Sequence, residues 1–250
     1  MKQNREKKNG TLLKRIMKKM SYGITLNLGR STYGNITVYH KMNSLFKKYR
    51  IIDYKRIIYS EGSLIFKEKR QTHTAFIGLV YYFIGIFSFI ILPENLKMNE
   101  MYKGFSYNFI KKSNYSIFLK KVPTGIWIHH LEIRSGLGAK IARSAGSKCY
   151  IYSKEKNEIY VKLSSGRLLK LTPYCVCVFG IGSNKEYHIQ NKGKAGYNFK
   201  YGRRPKVRGV AMNPVDHPHG GGEGKKSKPA IQKTPWGKQA KNKKTKKIKK

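Results

Sequence analysis

The side chains best suited to chemistry lie in one run of the sequence, residues 209 to 224, which reads GVAMNPVDHPHGGGEG. Asp216, His217 and His219 are close enough along it to form an acid–base pair or part of a metal site. The sequence supplies no nucleophile motif, no phosphate loop and no third ligand at a fixed spacing beside them. We therefore predict that His217 donates a hydrogen bond to a binding partner, with Asp216 orienting it, and that the chain has no catalytic residues.

The backbone of this run, called the strip below, is predicted to be extended and stiff. Pro214 and Pro218 fix φ and bias the residue before each of them toward extended conformations. The glycines at 220 to 222 let the backbone approach another surface closely. We expect such a strip to thread between negatively charged backbones.

The charge of the whole chain indicates a polyanionic partner. Lys and Arg number 53 against 12 Asp and Glu, which gives a formal net charge of +41. A compact chain with this charge repels itself unless a polyanion neutralises it. Nucleic acid, an anionic membrane surface and an acidic protein all fit, and a pI near 10.2 favours nucleic acid.

The two ends of the chain are too basic to build a core of their own. The last ten residues contain seven lysines, and the first twenty contain eight Lys or Arg beside a single acid, Glu6. Blocks of like charge stay disordered or form interaction arms. Residues 1 to 20 fit either an RNA-binding arm or a targeting segment, and no secretory signal is indicated because no apolar stretch follows the basic residues.

The cysteines are predicted to be structural. Cys149, Cys175 and Cys177 are few and odd in number, which argues against a disulfide framework. Cys175 and Cys177 lie on one face of a predicted strand, with no zinc-like spacing to other ligands. We interpret both as small apolar strand residues.

One uncharged run, Ala75 to Leu92, is long enough to cross a membrane. Its β-branched and aromatic composition favours strands, and Gly85 near its middle is suited to a tight turn. We predict a buried or half-buried hairpin, with a membrane span as the alternative.

The rest of the middle of the chain reads as short strands, which indicates small barrels. The predicted strands are Gly34–His40, Arg50–Tyr59, Cys149–Tyr152, Ile159–Leu163, Leu168–Leu171 and Cys175–Phe179, with a brief helical turn at Gly138–Arg143. Residues 164–167, SSGR, have glycine in the turn and predict a hairpin between Ile159–Leu163 and Leu168–Leu171. The Lys- and Asn-rich stretch from Asn95 to Lys121 separates two groups of strands, and we predict a domain boundary there.

Several further motifs occur in one consistent order. They are GRSTYGNITV at 29–38, YRIIDYKR at 49–56, VPTG at 122–125, ARSAG at 142–146, GKAG at 193–196, GRRPKVRG at 202–209 and TPWG at 234–237. Together with the strip, they resemble the universal large-subunit ribosomal protein family called "L two", over about residues 29 to 247.

The resemblance implies a mainly β fold, with an OB-fold barrel followed by an SH3-like barrel and basic extended arms. The corresponding boundaries are an arm at 1–20, the first barrel at 21–110, the second at 111–205 and an rRNA-binding tail at 206–250. It also implies a structural protein of the large ribosomal subunit. Such a protein binds large-subunit rRNA near the peptidyl-transferase centre, contacts neighbouring ribosomal proteins and helps the small subunit to join.

The expected RNA contacts are cations that neutralise phosphates, residues of the strip, and Trp236, which either stacks on a base or pins the tail. They are Arg30, Arg50, Lys55, Arg56, Lys140, Arg143, Ser144, Lys192, Lys194, Arg203, Arg204, Lys206, Arg208, Met212, Asn213, Asp216, His217, His219, Gly220, Gly221, Gly222, Lys225, Lys226 and Trp236. No metal site, cofactor, small-molecule substrate or membrane span is expected, apart from magnesium associated with the rRNA.

Two departures from the family bear on the origin of the chain. Residues 41–46, KMNSLF, replace a turn that is glycine-rich in the family, and little sequence precedes the first barrel. Heavy use of Lys, Asn, Ile, Tyr and Phe is typical of an AT-rich genome. We expect a ribosome in the mitochondrion, with the plastid or the bacterial cytoplasm as alternatives.

Overall fold

The computed structural model describes residues 2–24, 27–45, 48–69, 72–94, 96–108, 115–223 and 231–240, with the backbone alone for residues 2–10. This part of the chain is mainly β with several antiparallel sheets, which confirms the predicted fold class. Contacts divide the protein into two compact units. The first comprises the described parts of Met1–Leu26 and Leu45–Tyr197, and the second those of Asn27–Ser44 and Asn198–Lys250.

The strands, in chain order, are β1 Ser21–Gly23, β2 Lys48–Arg50, β3 Glu61–Glu68, β4 Ile77–Tyr82, β5 Phe87–Ile91, β6 Met101–Lys103, β7 Ser116–Phe118, β8 Trp127–His129, β9 Leu131–Glu132, β10 Ala139–Ile141, β11 Cys149–Lys154, β12 Ile159–Lys162, β13 Leu168–Leu171 and β14 Val176–Phe179. The α-helices are α1 Lys2–Lys19 and α2 Gly196–Lys200. Short 3-10 helices occupy Leu119–Lys121, Lys185–His188 and Gly209–Ala211.

The first large sheet orders its strands β5-β4-β3-β6, all antiparallel. The apolar run forms its β4–β5 hairpin, as predicted, with Gly85 in the turn at φ 92°. Apolar and polar residues do not alternate along this run, because β4 is buried on both faces. Val80 and Tyr82 belong to one apolar cluster, and Ile77 and Leu79 belong to another. Among the described residues, no helix is long and apolar enough to cross a membrane.

Helix α1 corrects the prediction that the basic N-terminal end contributes nothing to a core. Leu13, Met17 and Met20, spaced by four and three residues, pack against the cluster that contains Ile77 and Leu79. This spacing places the three side chains on one side of a helix. The guanidinium of Arg50 donates a hydrogen bond to the Met17 carbonyl at 2.6 Å and so satisfies one acceptor of the last turn.

The second large sheet has six strands in the order β13-β12-β11-β8-β14-β7. Its β12–β13 hairpin confirms the predicted one, and the turn is closed by Leu163 N–H donating to the Arg167 carbonyl at 2.9 Å. Cys149, Cys175 and Cys177 are free thiols inside its core. Burial raises the pKa of the Cys149 thiol to about 11, so it is a protonated core side chain at neutral pH.

Three local predictions were wrong. Gly34–His40 forms turns and bends, because the amides of Thr37 and Val38 both donate to the Gly29 carbonyl and fold the segment into a loop. Arg50–Tyr59 is strand only at its start, since Asp53 caps a turn there. Gly138–Arg143 contains β10 instead of a helical turn, because positive φ angles at both Gly138 and Ala142 bracket it.

The turn after Asp53 joins the two large sheets of the first unit. Arg56, at φ 51°, is completely buried, and one of its terminal nitrogens donates to the Ile91 carbonyl of the first sheet. Its own carbonyl accepts from Ser116 Oγ of the second sheet at 2.8 Å. His129 and His130 are buried as well, and this burial, together with the nearby Arg56 charge, lowers the pKa of both.

In the second unit, the Asn27–Ser44 segment packs with the C-terminal segment. The Arg204 amide donates to the His40 carbonyl at 3.1 Å, and the Met42 amide donates to the Gly202 carbonyl at 3.0 Å. Ser44 Oγ donates to the Lys200 carbonyl at 2.9 Å. Met42 and Ser44 of the altered loop 41–46 therefore pair with the C-terminal segment. The domain boundaries near residues 20, 110 and 205 stay predictions.

Candidate nucleic-acid interface

The strip is folded into consecutive turns, which corrects the prediction of an extended segment. The amides of Asp216 and His217 both donate to the Asn213 carbonyl, at 3.1 and 3.3 Å. The Gly221 amide donates to the Met212 carbonyl at 3.1 Å and closes the strip on itself. Pro214 pre-sets φ for the second position of a turn, and this preference outweighs its extending effect on the residue before it.

His217 is an acceptor inside the strip. Its Nδ1 accepts a hydrogen bond from the His219 amide at 3.0 Å, so the ring proton lies on Nε2. The ring also lies against Gly209, where an added Cβ atom would stand 2.5 Å from ring atoms. Of the two ring nitrogens, only Nε2 is left to donate to a partner.

His219 connects the strip to the segment that follows it. Its Nε2 accepts from the Lys233 amide at 2.8 Å. Residues 232 to 240, called the tail hairpin, are closed by Thr234 N–H donating to the Lys238 carbonyl and Ala240 N–H donating to the Gln232 carbonyl, both at 2.7 Å. His219 thus holds the start of the tail hairpin in place.

The three glycines differ in what they do. A Cβ atom at Gly220 would collide with the Asn213 carbonyl, and one at Gly221 would stand 2.6 Å from Pro214 Cγ. Both glycines are therefore required by packing inside the strip. Gly222, at φ 93°, has nothing within 4 Å of an added Cβ and is the one that remains open to another surface.

Exposed cations surround the strip. Arg203, Arg204, Lys206 and Arg208 precede it, and all four side chains are exposed, as is Arg30 of the same unit. Asn213, Asp216 and Trp236 are exposed too, and Met212 is half-buried. Lys225 and Lys226 lie outside the described residues, as do residues 241 to 250. The described part of this unit thus presents a strongly basic surface.

The first unit contributes a second basic surface, the basic cleft, with a volume of about 560 Å³. It brings together Lys140, Arg143 and Ser144, as predicted candidates, with Lys185 and His188, which sequence reasoning missed. Its complete lining is Lys140, Ala142, Arg143, Ser144, Ala145, Gly146, Ser147, Ser164, Lys185 and His188. No acidic side chain is among these residues, so the cleft suits an anion.

Backbone hydrogen bonds fix the loop on one side of the basic cleft. The Ala145 amide donates to Thr74 Oγ1 at 3.0 Å, and the Gly146 amide donates to the Gly182 carbonyl at 3.1 Å. The guanidinium of Arg143 lies 4.9 Å from the centroid of the Tyr54 ring, which directs it along an aromatic face. Lys185 and His188 were not predicted as RNA contacts, because Glu186 lies between them and the segment does not stand out in the sequence as a basic cluster.

Two predicted contacts must be revised, since their side chains are enclosed. Arg50 is paired with Glu68 at 3.1 Å, and Arg56 is completely buried at the junction of the sheets. Both side chains are buried and have partners inside the first unit, so their charges are not exposed to a polyanion. Lys55, Lys192 and Lys194 are exposed and remain candidates. Among the described residues, no group of three His, Cys, Asp or Glu side chains is placed to hold a metal ion.

Family models match both halves of the chain. Residues 17–102 match "Ribosomal Proteins L2, RNA binding N-terminal domain", and residues 112–237 match "Ribosomal Proteins L2, C-terminal domain". The chain belongs to this ribosomal protein family. The basic cleft, the strip and Trp236 all lie within the second match.

Curated relatives agree over almost the whole length. The large ribosomal subunit protein uL2 of Orientia tsutsugamushi is 40% identical over 236 residues, which cover 94% of this chain and 86% of the relative. The uL2 protein of Ehrlichia canis is 42% identical over 229 residues, covering 91% and 82%. Both relatives are bacterial, and the protein has a structural ribosomal role as a member of the same family.

Proposed function

We propose that the chain is a constituent of the large ribosomal subunit that binds large-subunit rRNA, supports the region around the peptidyl-transferase centre and helps the subunits to associate. The observation that carries this proposal is the acid-free basic cleft, found on a chain that matches both domains of a ribosomal family. Neighbouring ribosomal proteins and the small subunit are its further partners.

Phosphate neutralisation is the main physical contribution. The cleft and the cations before the strip each present several positive side chains, and a polyanion that binds them releases its condensed counterions. The hydrogen-bonded loop of the cleft fixes the position of Arg143. Its planar guanidinium can donate two parallel hydrogen bonds to one phosphate. Contacts of this kind position RNA without reading its sequence.

We also propose that the protein organises RNA and performs no chemistry itself. One ring nitrogen of His217 and one of His219 are already engaged as acceptors from backbone amides. A general base needs a free acceptor nitrogen that faces the proton it removes. The histidines are better suited to shaping the strip, and magnesium near it would be held by the rRNA.

A mitochondrial ribosome is the proposed location. The support is compositional: Tyr numbers 18 and Phe 11 in 250 residues, beside abundant Lys, Asn and Ile, as expected from an AT-rich genome. Immunodetection in purified organelles tests it, since a mitochondrial protein resists external protease until the membranes are opened. Recovery with plastids or with a bacterial cytoplasm would replace this location.

The binding of the purified chain to large-subunit rRNA fragments, measured over a range of salt concentrations, tests the proposed role. We expect the affinity to fall steeply as the salt concentration rises. In the K140Q/R143Q/K185Q variant, the slope of log affinity against log salt concentration should be shallower by about 2. Lys156→Gln, on the exposed β11–β12 turn outside the cleft, is the control and should leave the slope unchanged. A triple variant indistinguishable from the control would refute the role of the cleft.

A further inference from the structure

An exposed pair of aromatic side chains lies in the second unit. The ring centroids of Tyr39 and Trp236 are 6.2 Å apart and the rings are tilted by only 23°. Tyr39 is 52% exposed and Trp236 is 59% exposed, although aromatic side chains that serve packing bury most of their surface. Much of both rings is therefore available to a ligand.

The two exposed rings are nearly parallel, so both can stack on one flat group. A base stacked between them needs about 6.8 Å between the ring planes, twice the roughly 3.4 Å rise between stacked bases. The ring centroids are 6.2 Å apart, so the two side chains must move apart to admit a nucleobase.

The backbone beside each ring is held by hydrogen bonds that involve neither ring. Tyr39 follows Thr37 and Val38, whose amides donate to the Gly29 carbonyl at 2.8 and 3.0 Å. Trp236 stands in the turn of the tail hairpin, which His219 holds through the Lys233 amide at 2.8 Å. Insertion of a ligand between the rings therefore costs none of these hydrogen bonds.

The surrounding charges identify the class of ligand. The segment from 27 to 44 contains Arg30 and Lys41 and no acid, and the segment from 231 to 240 contains Lys233 and Lys238 and no acid. An apolar side chain of a protein partner would gain nothing from these cations. A nucleic-acid strand gains from both features, because its bases stack on aromatic rings while its phosphates meet the cations.

The geometry points to a clamp in which Tyr39 and Trp236 hold one unpaired nucleobase of a single-stranded RNA segment between them. This inference rests on the proposed RNA-binding function and adds a specific site to it. The clamp reads no sequence, since every base has a π face.

Tryptophan fluorescence of the full chain tests the clamp. Trp127→Phe leaves Trp236 as the sole tryptophan, because the chain has two. We expect a short oligouridine to quench Trp236, and an abasic oligonucleotide of equal length and charge to leave its emission unchanged. Equal quenching by the abasic chain would overturn the clamp, because phosphates alone would then explain the signal.

Affinity for labelled oligouridine provides the second readout. Trp236→Leu and Tyr39→Leu should each weaken binding about fivefold or more, while Tyr39→Phe keeps the wild-type affinity. Tyr33→Leu is the matched control, because Tyr33 lies in the same loop, is 90% exposed and stacks on no other ring among the described residues. A loss confined to Trp236→Leu would overturn the two-sided site.

The clamp and the proposed function fail in different ways. If both leucine variants bind oligouridine and rRNA fragments like the wild-type chain, the clamp is refuted and the rRNA-binding role stands. If the wild-type chain binds no rRNA fragment, both are refuted. Circular dichroism of each variant shows whether the β fold is retained.

Discussion

Nε2 of His219 accepts a hydrogen bond from the backbone amide of Lys233 at 2.8 Å, across fourteen residues of chain. His219, predicted as an RNA contact, is thus an internal acceptor that holds the tail hairpin. The same holds for Nδ1 of His217, which accepts from the His219 amide at 3.0 Å. The two rings lie 5.2 Å apart between centroids and together set the shape of the strip.

Replacing His219 should release the tail hairpin. In His219→Ala the Lys233 amide loses its acceptor, and we expect its hydrogen exchange to accelerate about fivefold, since a net hydrogen bond contributes roughly 1 kcal/mol. His219→Gln is the control, because its amide oxygen offers an acceptor in a similar place. Unchanged exchange in the alanine variant would show that the hairpin is held by other contacts.

Gly209→Ala should disturb the strip through His217. The added methyl group would stand 2.5 Å from the imidazole, and overpacking of this kind costs about 1–3 kcal/mol. We expect faster amide exchange at Gly220 and Gly221. The double variant G209A/H217A should recover part of the loss.

Gly196→Ala is the matched control for this substitution. Gly196 begins α2, an added Cβ there meets nothing within 4 Å, and alanine favours helix. Equal disturbance by both alanine substitutions would mean that the clash with His217 is not the cause.

Acid should destabilise the first unit of the free protein. Burial, with the nearby Arg56 charge, lowers the pKa of His129 to about 3 and places that of His130 well below its ordinary value. The unfolded chain therefore binds protons that the folded chain does not between about pH 6.5 and pH 3, so the free energy of unfolding falls as the pH decreases. At pH 5 His129 contributes a loss of about 2 kcal/mol relative to pH 7.5, and His130 adds a loss of the same sign.

Urea unfolding at the two pH values measures this effect. His129→Leu should reduce the difference, because one buried titrating group is removed. His188→Gln changes an exposed histidine and should leave the difference as it is. The expectation fails if the wild-type protein is equally stable at pH 7.5 and pH 5.

Deleting residues 241 to 250 should weaken rRNA binding through charge alone. The deletion removes seven lysines, and the log–log salt slope should flatten by up to about 5. The thermal midpoint of the remaining chain should change by less than about 2 °C, because terminal like-charge blocks rarely contribute to a core. A salt slope equal to that of the intact chain would show that this segment contacts no phosphate.

The sequence was most informative where burial decides the structure. The β4–β5 and β12–β13 hairpins were predicted because apolar runs broken by a glycine have few other ways to fold. The N-terminal helix was not predicted, because residues 1 to 20 were interpreted from their charge and not from the spacing of Leu13, Met17 and Met20. Their helical spacing is a signal that charge counting does not use.

The residue types of the candidate site were predicted from the sequence, but the backbone conformation of the strip was not. Local propensities of Pro214 and Pro218 indicated an extended strip, but hydrogen bonds to the Asn213 and Met212 carbonyls fold it into turns. The burial of Arg56 depends on contacts with Ile91 and Ser116, which are distant in sequence. Long-range contacts of this kind leave no local pattern, so no reading of spacing could find them.

Sedimentation of a native lysate through a density gradient, with and without ribonuclease, tests the central claim most directly. A chain held by rRNA should migrate with the large ribosomal subunit and move to the top of the gradient once ribonuclease has digested the RNA. High salt with magnesium chelation should release it in the same way, because phosphate contacts are screened. The account is contradicted if neither ribonuclease nor high salt with magnesium chelation changes the migration of the chain, and only detergent releases it from the membrane fraction.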